Sequence, residues 1–434
     1  MLLEIGLVFL GVIVIMLLGT PVAAAFCIGS IVMVALTSLD LTWLGSQAFN
    51  LVQSFVFLCF PLYVLLGSVV NISGVANRLC DWFTVLFGRM KGGLGVAAIF
   101  TNGVFAAMSG SSLSALAGIG RALLPSLEAR GYPKEYSIAL LINSATLALQ
   151  IPPSGGMIIF GFMGGLPISM CFLSAVIPGI VLMILLSIVN VVMCRNIPTI
   201  QVSPKQEFKT EVKETAKATK KAFFALLIPV VCLGGIYAGL YTPTEAAAAG
   251  AVYAIFLGLF VYRTLTLKHL GQGLLETGIV TSSIIIVIFF FTVISKVLIL
   301  VEVSTAILNL MLAISTNLYV QIFLLNLLLF IMGMFIDDAS CTMISAVILL
   351  PVAVKLGIDP YHMAAMVSVT HAIGLITPPV AALLYLGGHI ADLPVNRYLK
   401  PTAIFTFFAM IPTALVTMYV PAFSTTLPYL FSKG

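Results

Sequence analysis

The sequence predicts an all-α polytopic membrane protein, and three observations support that prediction. Hydrophobic residues make up 61% of the 434 residues and charged residues only 8%, whereas a water-soluble protein carries about 25% charged residues. The apolar segments run along the whole chain, whose length allows on the order of a dozen spans of about 20 residues. Several segments are interrupted at matching places, which predicts two related halves.

The net charge and the cysteines do not narrow the function beyond this structural class. The net charge is +5, and the basic residues cluster beside membrane segments, which is typical of membrane topology and not of nucleic-acid binding. The seven cysteines lie in apolar stretches without a C-x-x-C pair, so we interpret them as small buried side chains. The apolar start of the chain has no basic region or cleavage site, and we expect a retained span. Whether Gly19-Thr20-Pro21 breaks that span stays open.

Four interrupted segments indicate where a solute could bind. Short polar patches split 94–129 and 318–356, and we predict a re-entrant hairpin at each, hairpin one and hairpin two. Pro-Pro pairs split 136–166 and 361–390, which predicts two broken helices. Each piece is expected to be too short to cross about 30 Å of hydrocarbon. Irregular backbone at membrane depth is tolerated only where it is buried in protein or lines a wet cavity, so these segments point to a transporter's binding site.

The interruptions recur at a constant offset of 226 residues. Leu123-Leu124-Pro125 aligns with Leu349-Leu350-Pro351, and Pro152-Pro153 aligns with Pro378-Pro379. The same alignment pairs Ser114 with Ser340, Gly131 with Gly357, Ala139 with Ala365, Leu149 with Leu375 and Gly161 with Gly387. Proline and glycine are the informative residues in a leucine-rich chain, so this alignment predicts an internal repeat.

The distribution of positive charge predicts opposite orientations for the two halves. If hairpin one enters and leaves on one side, most lysines and arginines lie on that side, and only Lys296, Lys355 and Lys433 lie on or near the other. The positive-inside rule makes the first side cytoplasmic. We therefore predict an inverted repeat with a first half at 1–194, a solvated cytoplasmic connector at 195–221 and a second half at 222–434.

Two polar patches of the first half are candidate ligands for a solute or a cation. Ser109-Gly110-Ser111-Ser112 separates the arms of hairpin one; a turn that caps the next helix is the alternative. Asn143 and Ser144 precede the first Pro-Pro pair, whose prolines leave carbonyls at 148–151 without intrahelical partners. Such carbonyls bind sodium in discontinuous helices, and a simple kink is the alternative. Ser111, Ser112, Asn143 and Ser144 are predicted solute ligands.

The second half carries counterparts of these patches. Asp337 and Asp338 are the only acids between Glu302 and Asp359, and an intramembrane carboxylate is a candidate functional group. These acids could bind a cation or cap the second arm. His371 could titrate or bind solute, and a structurally satisfied histidine is the alternative. Asp337, Asp338, Thr370 and His371 are predicted solute ligands. Separately, Thr242-Pro243-Thr244-Glu245 predicts a helix start with a capping box.

These motifs together resemble the large (M, DctM-like) permease subunit of tripartite ATP-independent periplasmic (TRAP) transporters. The resemblance covers nearly the whole chain, and its motifs are Phe60-Pro61-Leu62 through Gly67, Gly92-Gly93-Leu94-Gly95, Ser109–Ser112, Arg130-Gly131-Tyr132, Ile151-Pro152-Pro153-Ser154, Thr242–Ala248 and Gly374–Pro379. The Thr-Pro-Thr-Glu-Ala-Ala-Ala string and the paired Pro-Pro motifs are specific in combination. His371 stands where the family commonly has asparagine.

The resemblance implies an elevator-type carrier in the bacterial inner membrane that imports organic acids such as C4-dicarboxylates or sialic acid together with sodium. It implies no cofactor beyond Na⁺ as coupling ion. The implied partners are a small four-helix (Q) membrane subunit, a periplasmic substrate-binding (P) protein and membrane lipid, and no nucleic acid. The implied sodium ligands, largely backbone carbonyls, are Ser109, Ala148, Ile151 and Pro153 in one half and Gly333, Gly374, Thr377 and Val380 in the other.

Three other functions are alternatives to a tripartite permease. A stand-alone divalent-anion symporter would need no binding protein. An intramembrane enzyme is disfavoured because the chain lacks G-x-S-x-G and H-E-x-x-H. A channel is disfavoured because two inverted hairpins suit alternating access better than a continuous pore.

Overall fold

The computed structural model describes residues 2–37, 46, 53–201 and 208–432. These residues form helices and no strand, which confirms the all-α class. Within these described residues, seven helices are long and apolar enough to cross a membrane, and the count is eight if one bent pair is a single span. The seven are Ile168–Arg195, Lys213–Tyr237, Pro243–Val261, Leu267–Leu300, Leu318–Phe335, Asp338–Lys355 and Val395–Tyr419. The count stays below a dozen because much of the apolar sequence forms helices of 10–17 residues.

One set of helices forms what we call the frame. Its members are Leu2–Leu17, Val22–Thr37, Cys59–Ile72, Val75–Phe87, Phe208–Pro229, Pro243–Phe256, Leu267–Leu300 and Val303–Ile314. The longest, 267–300, packs against 22–37 and 59–72, and the helix at 243–256 packs against 59–72. The turn at Gly19 to Pro21 does break the first apolar segment. We also predict an apolar segment at 48–72, and its residues 48–52 lie outside the described residues.

The remaining helices form what we call the core set. Its members are Gly93–Ser109, Ser112–Ala115, Arg121–Ala129, Lys134–Ala145, Gly155–Gly164, Ile168–Arg195, Leu318–Phe335, Asp338–Ile344, Leu350–Lys355, Pro360–Gly374, Ala382–Ala391, Val395–Phe405, Ile411–Tyr419 and Ala422–Phe431. Helix 318–335 packs on 360–374, and helix 134–145 packs on 395–405. Both sets therefore combine helices from the two halves of the chain.

Four short non-helical stretches interrupt the core set where the sequence predicts interruptions. The first joint, Gly110 and Ser111, separates helix 93–109 from the helix that begins at Ser112. The second joint, Ile336 and Asp337, separates helix 318–335 from the helix that begins at Asp338. The first break, 150–154, and the second break, 375–381, contain the Pro-Pro pairs, and both Pro-Pro bonds are cis.

The expectation that every piece is too short to cross the bilayer is wrong for the second split segment. Its two arms, Leu318–Phe335 and Asp338–Lys355, are 18 residues long each. At 1.5 Å per residue, each spans about 27 Å. The second arm begins before its apolar run does, because Asp337 caps a helix that starts at Asp338. The pieces of the broken helices remain short, at 10–15 residues.

Residues that lie 226 positions apart have the same local structure in the two halves of the chain. Ser111 and Asp337 are both helix N-caps, and each side chain accepts a hydrogen bond from the backbone N–H three residues later. Gly131 and Gly357 share a positive φ of 81°. The helices that follow them begin at residues 134 and 360. The inverted orientation of the halves stays a prediction.

The offset becomes 227 after the second break. The helices there begin at residues 155 and 382, because Ala381, with φ 37°, takes up one extra residue before the second helix. Gly161 accepts a backbone hydrogen bond from Leu166, and Gly388 accepts the same bond from Leu393. The pairing of Gly161 with Gly387 was therefore wrong by one residue.

Two local predictions have clear outcomes. Thr242 and Glu245 form the complete capping box at the start of helix 243–256, which confirms the predicted helix start. The predicted connector 195–221 ends in helix Phe208–Pro229, and residues 202–207 lie outside the described residues. Trp82 Nε1 donates to Thr219 Oγ1 at 2.9 Å, so the last part of the connector packs on the frame.

Candidate functional site

Both joints and the frame surround one cavity of about 340 Å³. The cavity wall combines Ser109–Ser114 at the first joint with Asp337–Ala339 at the second. The starts of the helices that follow the two breaks complete the core-set side, with Gly155, Gly156, Ala382 and Leu383. The frame contributes Phe60, Tyr63, Val64, Ser68, Glu276, Val280 and Ile284. Segments far apart in the sequence therefore converge where the helices are interrupted.

The first joint is held against the first break by backbone contacts. The Gly155 N–H donates to the Gly110 carbonyl at 2.9 Å. Gly110 has φ 61°, a left-handed conformation that suits glycine. Ser109 is only 4% exposed, and its Oγ has no hydrogen-bond partner within the described residues. Ser111 does cap the next helix, so the capping alternative is correct for its side chain.

The second joint and the first residue of the helix after it carry the two carboxylates, Asp337 and Asp338. Asp337 Oδ2 accepts the Ser340 N–H at 3.2 Å, while Oδ1 has no hydrogen-bond partner in the described part of the chain. Asp338 Oδ1 lies 3.9 Å from His371 Nδ1. Of the two roles predicted for this pair, capping is therefore seen for Asp337. Both acids belong to the residues of the cavity wall, and Asp338 Oδ2 would lie 3.5 Å from a Cβ on Gly156.

The four predicted sodium ligands of the first half lie at or beside the contact between the first joint and the first break. A Cβ on Gly110 would lie 2.8 Å from the Pro153 carbonyl oxygen, so the backbone of the joint approaches Pro153 closely. Ala148 lies in the 3₁₀ turn Thr146–Leu149. The Ile151 N–H donates to the Leu147 carbonyl at 2.8 Å.

The four predicted sodium ligands of the second half also lie together. Gly333 and Gly374 are in backbone contact, since a Cβ on Gly374 would lie 2.5 Å from the Gly333 carbonyl carbon. The Thr377 N–H donates to the Gly374 carbonyl at 2.9 Å, and the Val380 N–H donates to the Met334 carbonyl at 3.2 Å. The end of helix 318–335 is thus fixed to the second break by main-chain contacts.

Four predicted solute ligands lie outside the wall of this cavity: Asn143, Ser144, Thr370 and His371. Asn143 donates to the Ala139 carbonyl at 2.9 Å, and its Oδ1 accepts Thr406 Oγ1 at 3.4 Å. Ser144 accepts the Asn102 amide at 2.7 Å, and Thr370 donates to Asn326 Oδ1 at 2.8 Å. Ser144 and Thr370 are 226 residues apart. The first joins helix 134–145 to helix 93–109, and the second joins helix 360–374 to helix 318–335.

His371 lies behind the second joint in a cluster of polar side chains. It is 1% exposed, with Nε2 2.9 Å from Cys341 Sγ and 3.4 Å from Ser345 Oγ. Nδ1 lies 3.5 Å from Thr342 Oγ1. His371 is not part of the cavity wall, and these contacts favour the interpretation of a structurally satisfied histidine.

Sequence reasoning missed the frame residues of the cavity wall, above all Tyr63, Ser68 and Glu276. Glu276 Oε2 accepts Ser68 Oγ at 3.1 Å, so the two join neighbouring frame helices. Glu276 is the only acid in helix 267–300. An isolated carboxylate near the start of a long apolar run was the sign that could have identified it.

Asp337 allows a test that separates capping from charge. Asp337→Ala removes the N-cap acceptor, and we expect a loss of about 1 kcal/mol in the free energy of unfolding. Asp337→Asn keeps an acceptor and should stay within a few tenths of a kcal/mol of the wild type. Equilibrium unfolding in detergent measures both. Equal losses in the two variants would show that the helix needs the negative charge and not the cap.

Comparison with known proteins identifies the family. Residues 9–423 match the family model "Tripartite ATP-independent periplasmic transporter, DctM component". A C4-dicarboxylate TRAP transporter large permease of Pseudomonas aeruginosa is 31% identical over 385 residues, which cover 89% of this chain and 89% of that protein. A sialic acid TRAP transporter large permease of Vibrio cholerae is 31% identical over 414 residues, covering 95% and 96%.

A solved structure supports the fold alone. The crystal structure of the YdaH transporter of Alcanivorax borkumensis matches with a TM-score of 0.62 at 14% identity and covers 96% of this chain and 99% of that chain. The family match extends over most of the sequence and includes both joints and both breaks. The chain therefore belongs to the DctM-component family of tripartite ATP-independent periplasmic transporters, which are permease subunits of the bacterial inner membrane and not enzymes.

Proposed function

We propose that this chain is the large permease of a sodium-coupled importer for a small organic acid. The observation that carries the proposal is the convergence of two joints and two helices after the breaks on one cavity. Discontinuous helices of this kind form solute and ion sites in secondary transporters because their freed backbone groups can bind ligands. The relatives named for C4-dicarboxylates and for sialic acid support an acidic solute.

We place sodium at the contacts between the joints and the breaks. Carbonyl oxygens are suitable ligands for a hard cation, and both breaks expose backbone close to a joint. The partnerless Ser109 Oγ offers a further oxygen in the first half. In the second half the contact between Gly333 and Gly374 leaves room for backbone ligands only.

The mechanism we propose is an elevator movement of the core set past the frame. The core set contains both joints and both breaks, whereas the frame contributes one wall of the cavity. The frame approaches the end of helix 93–109 closely at Gly67, where a Cβ would lie 2.9 Å from the Ser109 Cα. The lack of a side chain at Gly67 removes one obstacle to sliding between the two sets.

The partners we propose are a small four-helix membrane subunit and a periplasmic binding protein, as the tripartite family implies. The alternative is a stand-alone divalent-anion symporter. The two differ in one requirement, because only the tripartite system needs a binding protein to deliver the solute.

Uptake into proteoliposomes tests the proposal. The complex is reconstituted with the small subunit and the binding protein, and labelled succinate and N-acetylneuraminate are supplied in parallel. Solute transported by this complex should enter at least about tenfold faster with an inward sodium gradient than with potassium, since sodium binding contributes the driving force. Uptake independent of sodium would refute coupling. Undiminished uptake without the binding protein would favour the stand-alone symporter.

A further inference from the structure

The core set contains a groove of about 480 Å³ beside the second break. Helices 318–335 and 395–419 form much of its wall, and the second break contributes Ile376, Thr377 and Pro378. The groove shares no residue with the cavity between the joints and the frame. It is therefore a separate feature of the core set.

The internal repeat places a matching helix in the first half. Helix 168–195 is equivalent to helix 395–419, because the two begin directly after Pro167 and Pro394, which are 227 residues apart. The offset is 227 here because the extra residue at Ala381 comes before the second helix. The two halves can therefore be compared residue by residue.

In the first half, this helix closes over the break. A Cβ on Gly179 would lie 3.1 Å from Ile151 Cγ1 and 3.2 Å from Gln150 Cβ. Gln150 is fully buried beneath this contact. The first break and helix 168–195 therefore leave no groove between them at this place.

In the second half, the equivalent residues line the groove. Thr406 stands at the place of Gly179, and Ile376-Thr377 stands at the place of Gln150-Ile151. Pro378, the next residue of the break, is exposed. One unit of the repeat thus has a void where the other has a close contact between helix and break.

The polar side chains of the groove wall already have partners inside the protein. Each threonine of the wall donates its hydroxyl to an acceptor of the core set, and these threonines are Thr370, Thr377, Thr402 and Thr406. The Asn326 amide donates to the Ile322 carbonyl at 3.0 Å. The other described residues of the wall are apolar, and none is charged. Such a groove suits hydrocarbon, since a hydrated solute would lose its water without gaining hydrogen bonds.

The groove is too slender for a helix of a partner protein. On helix 395–419 its residues extend from Leu399 to Met418, which is about five helical turns. A partner helix is about 10 Å wide, so one turn of it would fill most of the 480 Å³. A hydrocarbon chain is one carbon atom wide and can follow the whole length.

A positive charge lies at one end of the groove. Lys400 is exposed and shares a helix face with Ala403 and Phe407, which both line the groove. Arg397 pairs with Glu135, whereas Lys400 forms no ion pair with any described residue. Lysines beside membrane segments attract the head groups of anionic lipids.

We propose that this groove binds an acyl chain of an anionic phospholipid whose phosphate lies beside Lys400. The chain extends from Leu399 past the second break and covers Thr377 and Pro378. It occupies the place that helix 168–195 fills at the first break. The inference does not depend on the identity of the solute, because the groove is separate from the cavity at the joints.

Photolabelling tests this inference. The purified permease in detergent is incubated with phosphatidylglycerol that carries a diazirine in one acyl chain, and the labelled peptides are identified by mass spectrometry after illumination. Labels should concentrate in helices 318–335 and 395–419. Unlabelled dioleoylphosphatidylglycerol should compete about fivefold better than dioleoylphosphatidylcholine, because the two differ in head-group charge and not in their chains.

Two variants separate the contribution of the acyl chain from that of the head group. Ala403→Trp places an indole in the groove and should reduce labelling about tenfold, because a filled volume cannot hold a second group. Lys400→Gln should keep the labelled positions and reduce the preference for phosphatidylglycerol to about twofold or less. The controls are Ile184→Trp, at an exposed position of helix 168–195, and Lys268→Gln, at an exposed lysine of the frame. Both should match the wild type.

Three results would overturn the inference. Labels spread evenly over the exposed helices would show that the groove is not a lipid site. Equal competition by the two lipids, or an unchanged preference in Lys400→Gln, would remove the anionic head group. Loss of the labels when the small membrane subunit is added would show that a protein partner occupies the groove.

Discussion

Replacing Gly374 by alanine is expected to abolish sodium-dependent uptake. The new Cβ would lie 2.5 Å from the Gly333 carbonyl carbon and 2.6 Å from its Cα. Both neighbours are backbone atoms, so no rotamer change can relieve the overlap, and helix 318–335 must separate from helix 360–374. Overpacking of a tight contact costs about 1–3 kcal/mol even where side chains can adjust. We expect a loss of about 3 kcal/mol in the free energy of unfolding and at least a tenfold fall in uptake.

Gly278→Ala is the control for this variant. Gly278 lies inside helix 267–300, and a Cβ there meets nothing within 4 Å. Alanine is the better helix former, so stability should be unchanged or slightly higher. Uptake in proteoliposomes and unfolding in detergent measure both variants. If Gly374→Ala transported at the wild-type rate, the contact between the first arm and the second break would have no role in transport.

Replacing His371 by alanine is expected to have the second largest effect. The imidazole is buried among Cys341, Ser345 and Thr342, and its removal leaves a cavity beside the second joint. Packing dominates the cost, since hydrogen bonds between membrane helices average only about 0.6 kcal/mol. Large-to-small substitutions of buried residues cost about 2–5 kcal/mol. We expect a loss of about 2 kcal/mol in unfolding free energy, and the weaker support of Asp338 should lower solute affinity several-fold.

Two comparisons control the histidine experiment. His389 is exposed on helix 382–391, and His389→Ala should match the wild type in stability and uptake. His371→Asn keeps a polar side chain and should fall between the wild type and His371→Ala. Wild-type stability in His371→Ala would show that the surrounding helices close the cavity without cost.

The repeat and its interruptions were predictable because they depend on local chemistry. Proline cannot continue a helix, and a serine or an aspartate before a helix caps it. The positions of Pro152-Pro153, Ser111 and Asp337 therefore determine helix ends directly. The capping box at Thr242 follows from the same principle and needs no tertiary contact.

What the sequence could not show depends on three-dimensional packing. Glu276 joins the cavity only because the frame helix passes the two joints. Its isolation in an apolar run marks it as a candidate functional residue, but the run does not show which other segments it meets. Ser144 and Thr370 looked like solute ligands because they precede the breaks. Their hydroxyls instead lie on helix faces that meet Asn102 and Asn326. The sodium ligands we propose are backbone carbonyls, which every residue has. The sequence therefore cannot show which of them bind an ion, and the solute that packing brings to the cavity is a proposal as well.

The extra residue at Ala381 is associated with a difference between the two sides of the cavity. At structurally equivalent places after the breaks, the first half presents Gly155 and Gly156 and the second presents Ala382 and Leu383. One side is bare backbone, and the other carries a methyl and an isobutyl group. A chamber with true two-fold symmetry would accept a molecule equally well in either direction. This chamber lacks that symmetry, so a molecule inside it would lie with one defined end toward each joint.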